Sequence, residues 1–245
     1  MLDQPRLADY AIWLVALALY AADAARLLSP RHLLLVEAGR GRLTSAFSAD
    51  PFTIAGRALV CAPLVLPQRG AFVAEWGRPW APAPALRAAL QSLDALRGSL
   101  RPARALAVAA FALLFVAGPA LTLALGVDAA VLIVAAVVYP TALAAIAVVW
   151  WRRRAWGLGR GQAMLVSAEI LVCPAFLPNL VRKITTAHVV PVDGAQVLMA
   201  TAPSDVRTEF LARLASRAEA LINQSADEAA GTELRAYLAV VNGAR

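Results

Sequence analysis

Two uninterrupted apolar runs, Ala105–Leu125 and Ala129–Trp151, restrict what this chain can fold into more than anything else in it. Only Gly126, Val127 and Asp128 separate them, and Arg152, Arg153 and Arg154 follow at once. At ~1.5 Å of rise per residue, each run is long enough to cross a hydrocarbon core of ~30 Å. Backbone groups in lipid must find partners within their own segment, so both runs are expected as helices. A three-residue gap permits only a tight reversal. The expectation is a transmembrane helical hairpin over residues 105–151. Pro119 and Pro140 lie deep inside it, where each removes an amide donor and is expected to break or bend its helix.

Composition supports this class. Of 245 residues, 60% are hydrophobic and 16% charged, against roughly 25% charged in ordinary soluble domains. The net charge of +7 invites a nucleic-acid reading, but its distribution argues otherwise. Residues 30–104 carry +6 and residues 152–162 carry +4, beside the apolar runs, while residues 182–245 sum to zero. No basic stripe with interleaved aromatics is present, so nucleic acid is not expected as a partner. The bilayer is. Arg97, Arg101 and Arg104 precede the hairpin, and Arg152, Arg153, Arg154 and Arg160 follow it. Arginine-rich flanks favour the cytoplasm, which places both mouths of the hairpin inside a bacterial-type inner membrane and Asp128 outside. Trp150, Trp151 and Trp156 suit an interfacial aromatic belt. Cys61 and Cys173 form no ligand spacing, and only His32 and His188 join them, so no metal or other cofactor is expected.

Residues 7–28 are expected as the first transmembrane helix, with Asp23 and Arg26 near enough on one face to pair at its exit. A signal peptide cleaved near Ala22-Asp23-Ala24 is the competing reading. Its leading region is not basic, because Asp3 and Asp9 outweigh Arg6. An uncleaved anchor then runs inward, leaving the N-terminus outside and residues 30–104 cytoplasmic. Residues 30–83 read as a small β region with a proline linker. The runs Leu33–Glu37, Arg42–Phe47, Ala58–Cys61 and Ala71–Trp76 alternate with turn signals at Gly39-Arg40-Gly41, Ala49-Asp50-Pro51 and Gln68-Arg69-Gly70. Over residues 84–101, Leu86, Leu90, Leu93, Leu96 and Leu100 share one face of an amphipathic helix. That face is suited either to the sheet or to the lipid interface.

A fourth apolar segment, residues 163–181, contains Glu169, Cys173, Pro174, Pro178 and Asn179. Two prolines break it, so it reads as re-entrant or as a fourth full span. Glu169, Cys173 and Asn179 are its candidate membrane-embedded polar residues. Glu169 has four open roles: proton binding, substrate contact, pairing with Arg182 or Arg160, or simply reaching headgroup water. Cys173 would need a base to act as a nucleophile, and His188 is the only downstream histidine; an inert buried thiol is the simpler reading.

Residues 188–245 read as water-soluble. A β-hairpin is expected where Val189–Val192 and Ala195–Met199 flank Asp193-Gly194, followed by helices from Ser204 to Asn223 and from Thr232 to Val241. The fold class is therefore membrane α-helical with a small extramembrane α+β part: three transmembrane helices plus the broken fourth segment. No catalytic motif stands out. The favoured function is a scaffold or accessory subunit without catalysis of its own, binding a protein partner or a second copy through its cytoplasmic face. The alternative is a lipid- or small-molecule-handling enzyme or carrier that uses Glu169 and the Pro174–Asn179 break.

Overall fold

The computed structural model describes residues 7–39, 42–45, 53–54, 57–61, 65–224 and 228–243. The expected turn positions Arg40-Gly41 and Ala49-Asp50-Pro51 lie outside them, as do residues 1–6 and 46–47. In chain order, a 3-10 turn at Leu7–Tyr10 leads into α1 (Ala11–Ala24). Strands β1 (Ala25–Leu28), β2 (His32–Gly39), β3 (Arg42–Ser45), β4 (Thr53–Ile54), β5 (Arg57–Cys61) and β6 (Ala71–Glu75) follow. Helices α2 (Ala83–Ser99), α3 (Arg101–Ala112), α4 (Gly118–Leu125) and α5 (Val127–Arg152) come next. The chain ends with α6 (Arg160–Val172), α7 (Leu180–Thr186), α8 (Gly194–Thr201), α9 (Ser204–Gln224) and α10 (Glu228–Gly243). These form two compact units: residues 1–25, 63–70 and 96–188, and residues 26–62, 71–95 and 189–245.

The first unit is a helical bundle. From Arg101 to Leu125 and from Val127 to Arg152, two helices are long and apolar enough to cross a membrane. Gly126 reverses the chain between them with φ +84° and ψ 163°, a conformation open essentially to glycine alone. Its amide bonds Thr122 O, closing the end of α4. Small residues face inward along the hairpin. Ala103, Ala107 and Ala110 on α3, and Ala130, Val134, Val138, Ala142, Ala145 and Val149 on α5, are all buried. Spacings of three and four keep them on one stripe, and small side chains let helices approach closely without a water-driven core.

The two hairpin prolines behave differently from each other. Ahead of Pro119 the helix widens into a π-helical turn over Leu113–Ala117, and the Gly118 amide reaches back five residues to Leu113 O. Such a bulge accommodates the missing proline donor without ending the helix. Pro140 is not a break: α5 stays α-helical from Val127 to Arg152. One lost hydrogen bond, to the Ala136 carbonyl four residues back, is tolerable in a long helix.

α1 lies against the hairpin in the opposite direction to α3 and α4. Near its start, Trp13 packs with Leu114, Ala130, Val134 and Val138, and its indole donates to Thr122 Oγ1 at 2.8 Å. Near its end, Tyr20 meets the rings of Phe111 and Phe115 at 5.8 and 5.2 Å. The expected helix over residues 7–28 is shorter than its sequence pattern: it ends at Ala24, and residues 25–28 extend as β1. The expected Asp23–Arg26 pair requires helix through Arg26. Because the helix has stopped, Asp23 is engaged elsewhere. A third span is not established by helix length alone.

The second unit contains two three-stranded sheets, ordered β1-β5-β4 and β3-β2-β6. β2 pairs antiparallel with β3 (Val36 opposite Thr44) and with β6 (His32 opposite Glu75, Leu35 opposite Phe72). Alternation sorts the side chains. Leu34, Val36, Ala71 and Val73 pack with Leu28 and Val60 of the other sheet, whereas Leu33 and Ala74 on the reverse face meet Gly194. The expected Asp193-Gly194 hairpin is overturned. The Asp193 carboxylate accepts the Ala195 and Gln196 amides at 2.9 and 3.1 Å and so caps α8, which occupies the position of the expected second strand. Aspartate before a short apolar stretch serves an N-cap as readily as a turn. α9 and α10 pack as a helical pair that buries Phe210, Leu214, Leu234 and Val241.

Candidate functional site: an ion network inside the helical unit

Pro174 cannot donate to a preceding turn, so α6 ends at Val172 and Cys173 turns extended (φ −134°, ψ 92°). The next six residues, Pro174–Asn179, form a 3-10 segment that packs among α1, α3, α5 and α6. Ala175, Leu177, Pro178 and Asn179 are buried there. α7 then restarts the helix, which puts Asn179, Arg182 and Lys183 at i, i+3 and i+4 on one face. Tyr20 and Asp23 share a face of α1 by the same spacing.

These two faces meet. The Asn179 amide nitrogen donates to Tyr20 O and to Asp23 Oδ2, both at 2.9 Å. Lys183 Nζ bridges two carboxylates, Asp23 Oδ1 and Glu169 Oε2, each at 2.6 Å. Arg182 Nη1 donates to the Tyr20 hydroxyl at 3.1 Å and to Asn179 Oδ1, and Nη2 reaches Leu66 O at 3.4 Å. The Arg182 guanidinium also lies 5.5 Å from the Tyr20 ring centroid, and Lys183 Nζ lies 5.1 Å from that of Phe176. Two acids and two bases therefore balance. Buried charge persists only when paired and hydrogen-bonded, and here both conditions hold.

Of the residues singled out from sequence, Glu169 and Asn179 come together in this network and Cys173 does not. Glu169 pairs with Lys183 rather than Arg182 or Arg160, because α7 turns Lys183 towards α6 and Arg182 towards Tyr20. The Glu169 side chain keeps 34% exposure, against 4% for Lys183 and 13% for Asp23. Cys173 is half-buried, and no hydrogen bond joins it to His188 among the described residues. Burial lowers the His188 imidazole below its ordinary pKa. Sequence reasoning missed Tyr20, Asp23 and Lys183 as members of the network. Their signal was the i, i+3 and i, i+4 spacing of polar groups at the ends of apolar segments.

At the open end of the hairpin, Arg101 and Arg104 head α3, and Arg152 closes α5 before Arg153 and Arg154. Arg152 and Arg153 lie 4.6 and 6.0 Å from the ring centroids of Trp151 and Trp150. Buried Trp156 donates to Ser99 O at 3.4 Å. Arg97 sits in the last turn of α2 and Arg160 begins α6.

The second unit has its own polar centre. Asp193, 1% exposed, accepts the Arg78 amide at 3.1 Å and the Tyr237 hydroxyl at 3.2 Å besides capping α8. Burial raises the Asp193 carboxyl above its ordinary pKa against the pull of these donors, and burial beside Asp193 raises the Tyr237 phenol. Gln196 clamps the Ala81 backbone through both its amide and carbonyl groups, at 2.7 and 2.9 Å. This centre fixes the loop between β6 and α2. Among the described residues, no group of three or more His, Cys, Asp or Glu is placed to hold a metal ion.

The first unit is thus a helical bundle that has two helices long and apolar enough to cross a membrane and a neutral ion network in its interior. Comparison with protein-family models, with curated proteins and with solved structures gives no match.

Proposed function

We propose that the chain is an integral membrane scaffold or accessory subunit, without catalysis of its own, that binds a protein partner through its extramembrane part. The closed ion network carries this reading: Asp23, Glu169, Arg182 and Lys183 are occupied with one another and with Tyr20 and Asn179. A site built for substrate keeps polar groups uncommitted, and these are spent on joining α1, α6 and α7.

The bilayer part of the proposal rests on the outer surface of the bundle. Only 28% and 22% of the most apolar windows of the two long helices are buried. Leu123, Leu132, Leu143 and Trp151 are exposed on them, an arrangement suited to lipid and costly in water. α1 belongs to the same layer, since Ile12, Leu14, Val15, Leu17 and Leu19 are exposed. The 3-10 turn of 4 residues and the helix of 14 together rise about 29 Å, close to the thickness of a hydrocarbon core. α6 exposes Met164, Leu165, Leu171 and Val172 before the chain folds back through Pro174–Asn179, which supports a re-entrant fourth segment. Arginines at the open end orient that end to the cytoplasm of an inner membrane. α1 runs antiparallel to α3, so its N-terminus goes to the outer side with Asp128.

Purification in mild detergent should recover a partner, or a second copy, in stoichiometric amount. A stable monomer with turnover overturns the scaffold reading. One observation favours the alternative of a lipid- or small-molecule-handling carrier or enzyme: Glu169 is the network member with an open side. That reading requires Glu169→Gln and Asn179→Ala to abolish activity at unchanged expression.

A further inference from the structure

In the second unit, Ser29, His32 and Arg57 line a cavity of about 490 Å³ together with Leu28, Pro30 and Val73. We propose that this cavity binds a phosphate group, as a free anion or as the headgroup of an anionic phospholipid. The lipid form rests on the membrane reading above.

Three features of the cavity converge. The cavity brings a guanidinium, an imidazole and a hydroxyl together, and none of its described lining residues is acidic. Glu75, opposite His32 in the β2–β6 register, is already engaged by Arg78, whose Nε lies 2.7 Å from Oε2. His32 Nδ1 is buried and makes no hydrogen bond. Buried polar atoms nearly always have partners; Nδ1 is closed off from the cavity as the ring stands, and a turn of the imidazole would present it to an arriving oxyanion. Arginine matches tetrahedral oxyanions with paired N–H donors, and serine adds a further donor.

The cavity also lies close to α1 along the chain. Leu28 follows the last residue of α1, Ala24, by four positions, at most ~14 Å of extended chain. If α1 ends at the bilayer surface, Ser29 and His32 are within reach of headgroups.

The chain's two histidines make the test direct. The full chain in neutral detergent is labelled at its imidazoles, and the His32 and His188 resonances are followed during titration with inorganic phosphate and with a short-chain phosphatidylglycerol below its micelle concentration. The proposal expects saturable movement of His32 and a still His188. Arg57→Ala should weaken binding about tenfold or more, and Arg57→Lys less, as loss of one charge-assisted contact implies. Arg57 is exposed, so both variants should fold. Response to both ligands, or to the lipid alone, assigns the headgroup; response to phosphate alone assigns a soluble anion. No saturable movement, equal movement of both histidines, or binding unchanged in Arg57→Ala overturns the proposal. Carbonate extraction of membranes tests the bilayer reading separately: release of the chain refutes that reading, while the phosphate titration stands by itself.

Discussion

Lys183 is the residue on which the bundle interior turns. Its ammonium holds two carboxylates from two different helices and is 4% exposed. Replacing it with methionine keeps the volume but leaves Asp23 and Glu169 facing each other without a cation. Removing one partner of a buried ion pair costs about 3–5 kcal/mol, because the remaining charge is stranded. Lys183→Met should therefore lower the thermal unfolding midpoint strongly, read by circular dichroism in detergent. The double variant Glu169→Gln, Lys183→Met removes one acid with one base, leaves Asp23 to balance Arg182, and should recover most of that loss. A single variant as stable as the parent, or a double variant no better than the single, would show that the network does not hold the helices together. Glu169→Gln alone should cost less than Lys183→Met, since Lys183 retains Asp23 and the Glu169 side chain is one-third exposed.

At the scale of elements, the approach of α1 to α4 depends on Gly118. A Cβ placed there would lie 2.6 Å from the Trp13 ring, inside any real contact distance. Gly118→Ala must displace the indole and strain its bond to Thr122, at about 1–3 kcal/mol for overpacking. Trp13→Leu frees the space, so adding it to Gly118→Ala should cost less than the two single changes summed. Double-mutant thermal unfolding measures that coupling, and strict additivity would disprove the contact. Elements of this kind were only partly legible in the sequence. The hairpin was legible because twenty-residue apolar runs have few alternatives to helix, and β2, β5 and β6 because short apolar runs alternate with turn residues. The exit of α1 was hidden. Residues 25–28 continue the apolar pattern of α1, and only pairing with a strand some thirty positions later makes them β1. Asp193-Gly194 was ambiguous for a local reason: a cap and a turn use the same residues, and burial of Asp193 by Arg78 and Tyr237 decides between them. The ion network was half visible. Glu169 stood out as a carboxylate in an apolar run, but its partner sits fourteen positions away beyond two prolines, where no helical spacing rule reaches.

For the whole molecule, the proposed orientation assigns each end of the hairpin to one face of the bilayer. The hairpin turns at Gly126, so Asp128 lies at the opposite end from Arg101 and Arg152. If arginine retention in the cytoplasm sets the orientation, Asp128 faces out, and α2, which directly precedes α3 in the chain, stays in. Ser92 is an exposed position on α2 and Asp128 an exposed position at the turn. Single cysteines at these two positions, with Cys61 and Cys173 changed to serine, can be treated with a membrane-impermeant maleimide in intact cells. Asp128→Cys should label at once, and Ser92→Cys only after permeabilisation. Neutralising the guanidinium cluster tests the cause: glutamine at Arg152, Arg153 and Arg154 should weaken the orientation and raise labelling at Ser92→Cys. If both positions label in intact cells before any arginine is changed, the two ends share a face and the hairpin does not cross. If labelling is correctly sided but indifferent to the arginines, the crossing stands and its orientation has another source, such as the Asp23–Lys183 contact that fixes α1.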